Sequence, residues 1–307
     1  MAQTLSTALT SIVTFEIQTN VLKNLRAMLT YANADFSEST HLTPGHDVAS
    51  FVFIPDLGIS ATPLTEGVAP TAVALTVSKV DVSCVQYGNL VDISDVAKNK
   101  TPVQLIAEAS DRLSRNAQET MDQITRDVIA AGGTAFYAGA GTSRATLAAT
   151  DKLKASDLRK LRGTMFKNKI PPMADGYYRI ILSPDQGFDL RNDATATGNW
   201  VDVNKYKNPE ILMAGELGRM EGFRIAEAVT APTFASTVAV TAAVAFGAPK
   251  GWGRADLQTL SVHHVAPGGD HSDPLAQSEK IGWKVMFGAA VLANSRYYRL
   301  ESATTLL

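Results

Sequence analysis

One long amphipathic helix constrains this chain more than any other pattern in its sequence. After Thr101, apolar residues recur at steps of three and four until Gly132 and Gly133 interrupt the pattern. Thr101-Pro-Val-Gln104 has the form of a capping box with proline at the first helical position. The pattern predicts a helix over 101–131, about 45 Å long at about 1.5 Å per residue. Because the mean helix of a globular domain has about 11–12 residues, a helix of this length is expected to be a spine of the fold.

Residues 48–82 predict a long β-hairpin. The first arm contains Val48, Phe51, Phe53 and Ile54, and the second contains Val73, Leu75, Val77, Val80 and Val82. The second arm alternates with the period of a strand, and the connection from Ser60 to Pro70 holds two prolines and a glycine that exclude regular pairing. An isolated two-stranded hairpin is marginal in water, and its open edges can pair with another chain. The hairpin is therefore expected to need a surface to pack against.

Short helices and strands alternate through the rest of the chain, which predicts an α+β fold, and 307 residues favour two subdomains over one core. Strands are predicted at 82–93, 177–182, 257–265 and 281–300, and helices at 15–31, 155–169 and 184–192. Gly88-Asn89 suggests a bulge or turn, and glycines in 211–227 suggest tight turns between short strands. Residues 1–14 are predicted to be a flexible arm, and 132–150 a subdomain boundary.

The composition excludes several classes of protein. The formal net charge is −2, and no basic tail supplies the positive field of a dedicated nucleic-acid-binding protein. No apolar run reaches the roughly 18 residues of a membrane span, and the first residues lack the basic start of a secretory signal. The single cysteine, Cys84, allows no internal disulfide and is expected to be a small buried sheet residue.

Two motifs that could carry chemistry fit ordinary structure better. A set typical of metal ligands contains His263, His264, His271, Asp270 and Asp273. Neighbouring residues on a strand point to opposite faces, however, and no recognised zinc spacing is present. Gly139-Ala-Gly-Thr-Ser143 lacks the lysine of a phosphate-binding loop and follows a helix, which favours a linker. No catalytic, cofactor or metal site is predicted.

An ordered set of short strings carries a resemblance to a known family. The strings are Pro63-Leu-Thr-Glu-Gly-Val-Ala-Pro70, Gln86-Tyr-Gly-Asn-Leu-Val-Asp-Ile-Ser94, Ile181-Leu-Ser-Pro-Asp185 with Leu190-Arg191, Gly215-Glu-Leu-Gly-Arg-Met-Glu-Gly222, Asp273-Pro-Leu-Ala-Gln277 and Ile281-Gly-Trp-Lys284. Together with the long helix, they resemble the major capsid proteins of tailed bacteriophages typified by podovirus N-four. That group is similar to the wider Hong Kong ninety-seven-like capsid fold, and the resemblance covers about residues 40–300.

The resemblance implies named parts along the chain. Residues 1–47 would be an N-terminal arm, and 48–82 the extended loop that reaches over an adjacent subunit. Residues 83–150 would form the peripheral domain with its spine helix at 101–131. The axial domain would cover 151–256, and 257–307 would return to the peripheral domain. Segment 233–248, rich in Ala, Val and Thr, has no counterpart in this pattern.

The implied function is self-assembly into an icosahedral head around phage double-stranded DNA, without enzymatic activity or sequence-specific DNA binding. Intersubunit contacts are expected at the loop tip, at Leu64, Thr65, Glu66, Gly67 and Val68, with Gly67 supplying a backbone angle that other residues resist. The expected partners are other copies of this chain, arranged in pentamers and hexamers, and separate scaffold, portal and decoration proteins. No contact with a membrane is expected. The subunits are expected to assemble in the host cytoplasm, and the finished shell is expected to be part of the virion.

Three other functions remain open on sequence grounds. One is an encapsulin-like nanocompartment shell, the second a soluble enzyme with an unrecognised site, and the third a tail or adhesin protein. Lys79 is the one lysine in 48–82 and lies at the base of the hairpin, which argues against a lysine cross-link from its tip. The basic stretch 152–169 predicts a solvated helix face, or else a patch that meets an acidic neighbour or packaged DNA.

Overall fold

The computed structural model describes most of the chain. The described residues are 30–32, 37–43, 45–46, 48–54, 57–58, 61, 63–64, 66–69, 71–100, 105–193, 216–268, 273 and 275–304. The predicted arm at 1–14, most of the predicted helix at 15–31, the capping box at 101–104, and Thr65, Asp270 and His271 lie outside them.

The described residues combine helices and strands, as an α+β fold requires. In chain order the strands are β1 (Glu38–His41), β2 (Val48–Phe53), β3 (Ser78–Ser83), β4 (Val85–Ser94), β5 (Thr134–Tyr137), β6 (Tyr178–Leu182), β7 (Glu216–Met220), β8 (Phe223–Glu227), β9 (Thr233–Phe234), β10 (Val240–Phe246), β11 (Trp252–Val265), β12 (Ser278–Val291) and β13 (Tyr297–Ala303). The α-helices are α1 (Asp95–Lys100), α2 (Leu105–Ala131), α3 (Ala155–Lys167) and α4 (Pro184–Arg191). Among them, no helix has the length and apolar character needed to cross a membrane.

The long helix α2 ends where the sequence predicts. Its 27 residues span about 40 Å, and Gly133, with a φ of 80°, follows the last turn. Its buried stripe packs on a four-stranded sheet with strand order β1-β11-β12-β4. The shared core contains Leu113, Ala117, Met121, Val262, Ile281, Trp283, Val285 and Phe287. This layer of helix on sheet forms the first of the two bodies of the fold.

The second body is a seven-stranded sheet with strand order β5-β13-β10-β6-β8-β7, in which β9 also pairs with β10. Every residue of β10 is buried. Segment 233–248, which has no counterpart in the family pattern, therefore contributes a central strand to this sheet. Helix α3 packs Leu158, Leu161 and Met165 into the same core. Strands β5 and β13 belong to this sheet although they lie outside residues 151–256.

The bulge or turn predicted at Gly88-Asn89 is wrong. Strand β4 pairs with β12 in unbroken register from Ser94 to Val85, with Gly88 opposite Lys284. A Cβ at Gly88 would lie 2.6 Å from the carbonyl oxygen of Trp283, so glycine permits a close approach of the neighbouring strand here. The register shifts occur instead between β11 and β12, within residues 256–261.

The hairpin pairs over a shorter length than the sequence predicts. Strands β2 and β3 are in register from Val48–Ser83 to Phe53–Ser78. Residues 71–77 form no strand, because β2 ends opposite Ser78 and no described strand lies beside them. The prediction of a strand beginning at Val73 is therefore wrong. The base is firmly held: Ala49, Val82 and Cys84 pack against Ala255, and the Cys84 thiol donates to the Ala255 carbonyl at 3.5 Å.

A buried carboxylate joins the loop after β5 to the second sheet. Glu301 on β13 is fully buried and accepts two hydrogen bonds from Arg144, each 2.7 Å long, and one from Arg299 at 2.7 Å. Burial alone would raise the pKa of Glu301, but the hydrogen bonds and charges of Arg144 and Arg299 outweigh it and hold this pKa below the ordinary value. The ionised carboxylate therefore stabilises the folded chain.

A second buried carboxylate fixes the point at which the N-terminal segment reaches the long helix. The backbone N–H groups of Thr30, Tyr31 and Ala32 donate to Asp122 Oδ1 at 3.0, 2.6 and 3.1 Å. The Thr230 hydroxyl donates to Asp122 Oδ2 at 2.8 Å. Asp122 lies on α2, so residues 30–32 are anchored on the body of their own chain.

We predict that Glu301→Gln lowers the free energy of unfolding of the unassembled chain by about 3 kcal/mol at neutral pH, because two partly buried arginines lose their charged partner. Because the folded-state pKa is depressed, this contribution is fully present above the ordinary carboxyl pKa of 4.5 and is lost as the pH falls below it. Urea titrations at pH 7 and pH 4 measure the difference. Glu119→Gln, which changes an exposed carboxylate on α2, is the control, and equal effects of the two changes would contradict the prediction.

We predict that Asp122→Ala releases residues 30–32 locally, because three backbone N–H groups lose a charged acceptor. Amide hydrogen exchange there should accelerate about 5- to 150-fold, from a loss of about 1–3 kcal/mol, while exchange in β10 stays unchanged. Asp127→Ala removes an exposed carboxylate paired with Arg126 on the same helix and should leave exchange at 30–32 unaltered. Unchanged exchange in Asp122→Ala would show that this anchor is dispensable.

Candidate intersubunit surface

The described residues of the predicted contact set lie at the exposed tip of the hairpin. We use the name β arm for residues 48–83. At its tip, Leu64 is 76% exposed, and Glu66, Gly67 and Val68 are exposed as well. Gly67 has a φ of 77°, which confirms the predicted backbone angle, since this left-handed region favours glycine. The tip therefore presents a tight turn with a carboxylate between two apolar side chains.

The unpaired part of the β arm is also apolar and exposed. Val73, Leu75 and Val77 alternate along it, and Val73 is 75% exposed. On β2 and just after it, Val48, Val52, Ile54 and Leu57 are exposed as well. Exposed apolar surface on this scale marks a site of protein contact more often than a solvated face. The backbone groups of residues 71–77 pair with no described strand, so the segment can accept a partner through its edges as well as through its side chains.

A second exposed surface lies on the four-stranded sheet. Helix α2 covers one face of this sheet, and the base of the β arm covers one end of the other face. The remainder of that other face forms an open groove of about 660 Å³. It is lined by Gln86, Tyr87, Gly88, Asn89, Leu90, His263, Gly282, Trp283 and Lys284, and we call it the sheet groove.

The chemistry of the sheet groove follows from the alternation of its strands. Gly88 and Gly282 carry no side chains, and Leu90, which is 58% exposed, lies over Gly282. Lys284 supplies a positive charge at the groove and has no ion pair among the described residues. The groove therefore offers one exposed apolar side chain and one cation.

The residues that resemble a set of metal ligands, for which no metal site is predicted, have other partners where they are described; Asp270 and His271 lie outside the described residues. His264 Nε2 lies 2.7 Å from Glu279 Oε1, and Lys98 Nζ lies 2.8 Å from Glu279 Oε2, which ties α1 to the sheet. His263 instead lies 3.2 Å from the Ser261 hydroxyl. No group of three potential metal ligands occurs among the described residues. Lys98 and His264 outweigh the effect of burial and hold the pKa of Glu279 below its ordinary value, so this cluster acts as a structural ion pair.

Sequence reasoning missed the sheet groove entirely. Its residues come from β4, β11 and β12, which are distant in sequence and meet only in the folded sheet. The two strand-interior glycines, Gly88 and Gly282, were the available signal, because glycine inside a strand often marks a close approach. One of them was assigned instead to a bulge.

Comparison with known proteins agrees with this geometry. A family model described as phage capsid protein matches residues 78–300, which is most of the chain. No curated protein matches the sequence. Among solved structures, the capsid of Ralstonia phage GP4 is 13% identical with a TM-score of 0.72, covering 91% of this chain and 90% of that one. The capsid of Cyanophage P-SCSP1u is 17% identical with a TM-score of 0.64, covering 88% and 87%.

The Cyanophage Pam1 capsid is also similar, with 14% identity, a TM-score of 0.65, and coverage of 85% of this chain and 86% of that one. At these identities the structures show the fold alone, which is that of tailed-phage capsid proteins. The family match over residues 78–300 supplies the function. The chain therefore belongs to the phage capsid protein family, and it is a structural major capsid protein with the Hong Kong ninety-seven-like fold.

Proposed function

We propose that copies of this chain assemble into an icosahedral head, as pentamers and hexamers, with the β arm of each copy bound in the sheet groove of the next. The observation that carries the proposal is the exposed apolar surface of the β arm, for which the described residues of its own chain provide no cover. The base of the arm is already fixed on its own sheet, so only the distal part remains to be covered.

The two surfaces are complementary in chemistry. The tip offers the apolar side chains of Leu64 and Val68 where the groove offers Leu90, and Glu66 on the tip is matched by Lys284 in the groove. Glu66 lies between the two apolar residues on a turn, so one segment can present both kinds of contact. Complementary charges fix the register of such a contact more than they add affinity.

The proposed contact is weak by itself and becomes strong in a closed shell. Fully burying one Leu or Val side chain contributes about 1.5–3 kcal/mol, and association costs about 4–15 kcal/mol in lost freedom. A handful of such side chains therefore gives a modest pairwise affinity. In a ring, each additional contact forms between copies that are already held together, which raises the effective concentration. Head-to-tail contacts of this kind close into rings when the rotation between copies permits.

We propose that the remaining parts of the chain have the roles that the resemblance to tailed-phage capsid proteins implies. We assign residues 1–47 to an N-terminal arm, 48–82 to the extended loop, 83–150 and 257–307 to the peripheral domain, and 151–256 to the axial domain around the symmetry axes. Strands β5 and β13 are hydrogen-bonded into the sheet of the axial segment, so we place these two strands with it. Residues 101–131 serve as the spine of the peripheral domain.

The proposed head encloses double-stranded DNA without sequence-specific contacts and without catalysis by this chain. Scaffold, portal and decoration proteins are proposed as separate chains, and assembly takes place in the host cytoplasm. Lys79 lies at the base of the β arm and pairs with Asp81 at 3.1 Å, so a covalent lysine link from the tip is not proposed. Membership of the phage capsid family favours this function over a nanocompartment shell, a soluble enzyme or an adhesin.

We predict that deleting residues 60–70 leaves a folded, soluble subunit that forms no shells, because the tip contacts are lost while both cores stay intact. Negative-stain electron microscopy and analytical ultracentrifugation of the purified variant would measure this. As a matched control, Leu275→Ser changes another exposed apolar residue outside the β arm and should leave assembly unchanged. Intact particles formed by the deletion variant would refute the role of the tip.

We predict that a chain carrying both Leu64→Cys and Leu90→Cys forms disulfides between copies when shells are mildly oxidised. A disulfide requires Cα atoms about 4.4–6.8 Å apart, so it reports direct contact between tip and groove. The native Cys84 is buried and should not interfere. Denaturing gels without reductant would show a ladder of linked chains.

The control for this cross-link pairs Leu64→Cys with Val229→Cys, since Val229 is exposed but lies outside the sheet groove. This control should give no ladder, and neither should either single variant of the test pair. A disulfide formed within one chain, or equal ladders from the test pair and the Val229 control, would contradict the proposed contact.

A further inference from the structure

Helix α3 carries an exposed aromatic ring that the proposed assembly does not use. Phe166 is 76% exposed, the highest exposure of any aromatic side chain among the described residues. The opposite side of α3 is fully buried through Leu158, Leu161 and Met165, so the helix cannot rotate to hide Phe166. The ring lies outside both the β arm and the sheet groove.

Exposed cations flank Phe166 along the chain. Arg162 lies one turn before it, with its guanidinium against Gly222, and Lys167 and Lys169 follow; all three are exposed. Neither Lys167 nor Lys169 forms an ion pair among the described residues, whereas the more distant Arg159 is held by Glu221 at 2.8 Å. We define the α3 patch as Arg162, Gly163, Phe166, Lys167 and Lys169.

The surface beside Phe166 is open. A Cβ at Gly163, one turn before Phe166, would meet no atom within 4 Å, so space is left next to the ring. Residues 152–169 contain seven Lys and Arg residues against one Asp, although the whole chain has a net charge of −2. Positive charge is therefore concentrated in this segment. Phe166 lies within the segment, and the open surface at Gly163 could hold a side chain from another molecule.

These features favour a protein segment over nucleic acid. Duplex DNA offers its phosphates to cations and keeps its base faces stacked, so it makes no use of an exposed phenyl ring. An acidic peptide with a large apolar side chain would use both the cations and the ring. Exposed aromatic and arginine side chains are also the residues that carry most of the energy at protein interfaces.

We propose that the α3 patch is a docking surface for an acidic segment of another protein that carries one large apolar side chain. The apolar side chain packs against Phe166 in the space beside Gly163. Carboxylates of the segment pair with Arg162, Lys167 and Lys169. The proposal is independent of the contact between arm and groove, since the α3 patch shares no residue with either surface.

Fluorescence anisotropy with the full chain tests this docking surface. The first probe is a short labelled peptide with a Leu-Trp pair between Glu residues, the second is the same length of Glu alone, and the third is labelled duplex DNA. The chain should bind the first probe more tightly than the other two. Phe166→Ser should weaken the first probe about tenfold, as expected from losing one buried apolar contact, and leave the second unchanged.

Charge reversal and a matched apolar control complete the experiment. Lys167→Glu with Lys169→Glu should weaken both peptides, and Val229→Ser, which changes an exposed apolar residue away from the α3 patch, should weaken neither. Circular dichroism confirms that these exposed substitutions leave the fold intact. Equal binding of the Leu-Trp peptide by the chain and by Phe166→Ser would overturn the proposal. So would tighter binding of the duplex that is insensitive to Phe166→Ser, which would identify a nucleic-acid surface.

Discussion

An apolar β arm without cover from the described part of its own chain is the constraint on which the rest of this structure depends. The protein closes two cores, one under α2 and one around β10, and leaves Leu64, Val73 and other apolar side chains of the arm in solvent. In a free monomer these exposed side chains contribute no hydrophobic free energy to folding, because they are not transferred from water into an apolar environment. In the proposed assembly, another copy of the chain supplies the cover that the described residues do not provide.

The two cores hold the arm in a fixed direction. The base of the arm is packed on the four-stranded sheet through Ala49 and Val82, and α2 supports the other face of that sheet along about 40 Å. Asp122 fixes residues 30–32 on the same helix, and Glu301 ties the loop after β5 to the second sheet. Among the described residues, the base of the arm and the sheet groove therefore belong to the same packed sheet, which is the arrangement that our proposal uses.

Local signals predicted the regular elements well. The apolar period of α2 and the glycines after it located the end of the helix at Ala131, and the turn preference of Gly67 located its positive φ. Strand β10 was missed because a strand buried on both faces has no polar alternation, and Val240–Phe246 is buried throughout. Val73–Val77 shows the opposite error, since alternation indicates a strand but does not supply a partner for it.

Hydrogen bonds and surfaces formed by residues far apart in the chain could not be predicted from the sequence. Asp122 meets Tyr31 across 91 residues, Arg144 meets Glu301 across 157, and the sheet groove assembles from three separate strands. Nothing in the spacing of those residues indicates the pairs, because only the completed sheets bring them together. The family resemblance suggested a role for the β arm, and the structure adds the sheet groove, which we propose as its binding surface.

A side-chain-resolution electron cryomicroscopy reconstruction of assembled particles would show directly what covers the arm. We predict a closed shell in which the distal β arm of each subunit, including Leu64, Val73 and Leu75, is buried against a neighbouring copy. A map in which the arm folds back on its own subunit, or extends into solvent while the shell is held together elsewhere, would contradict this prediction.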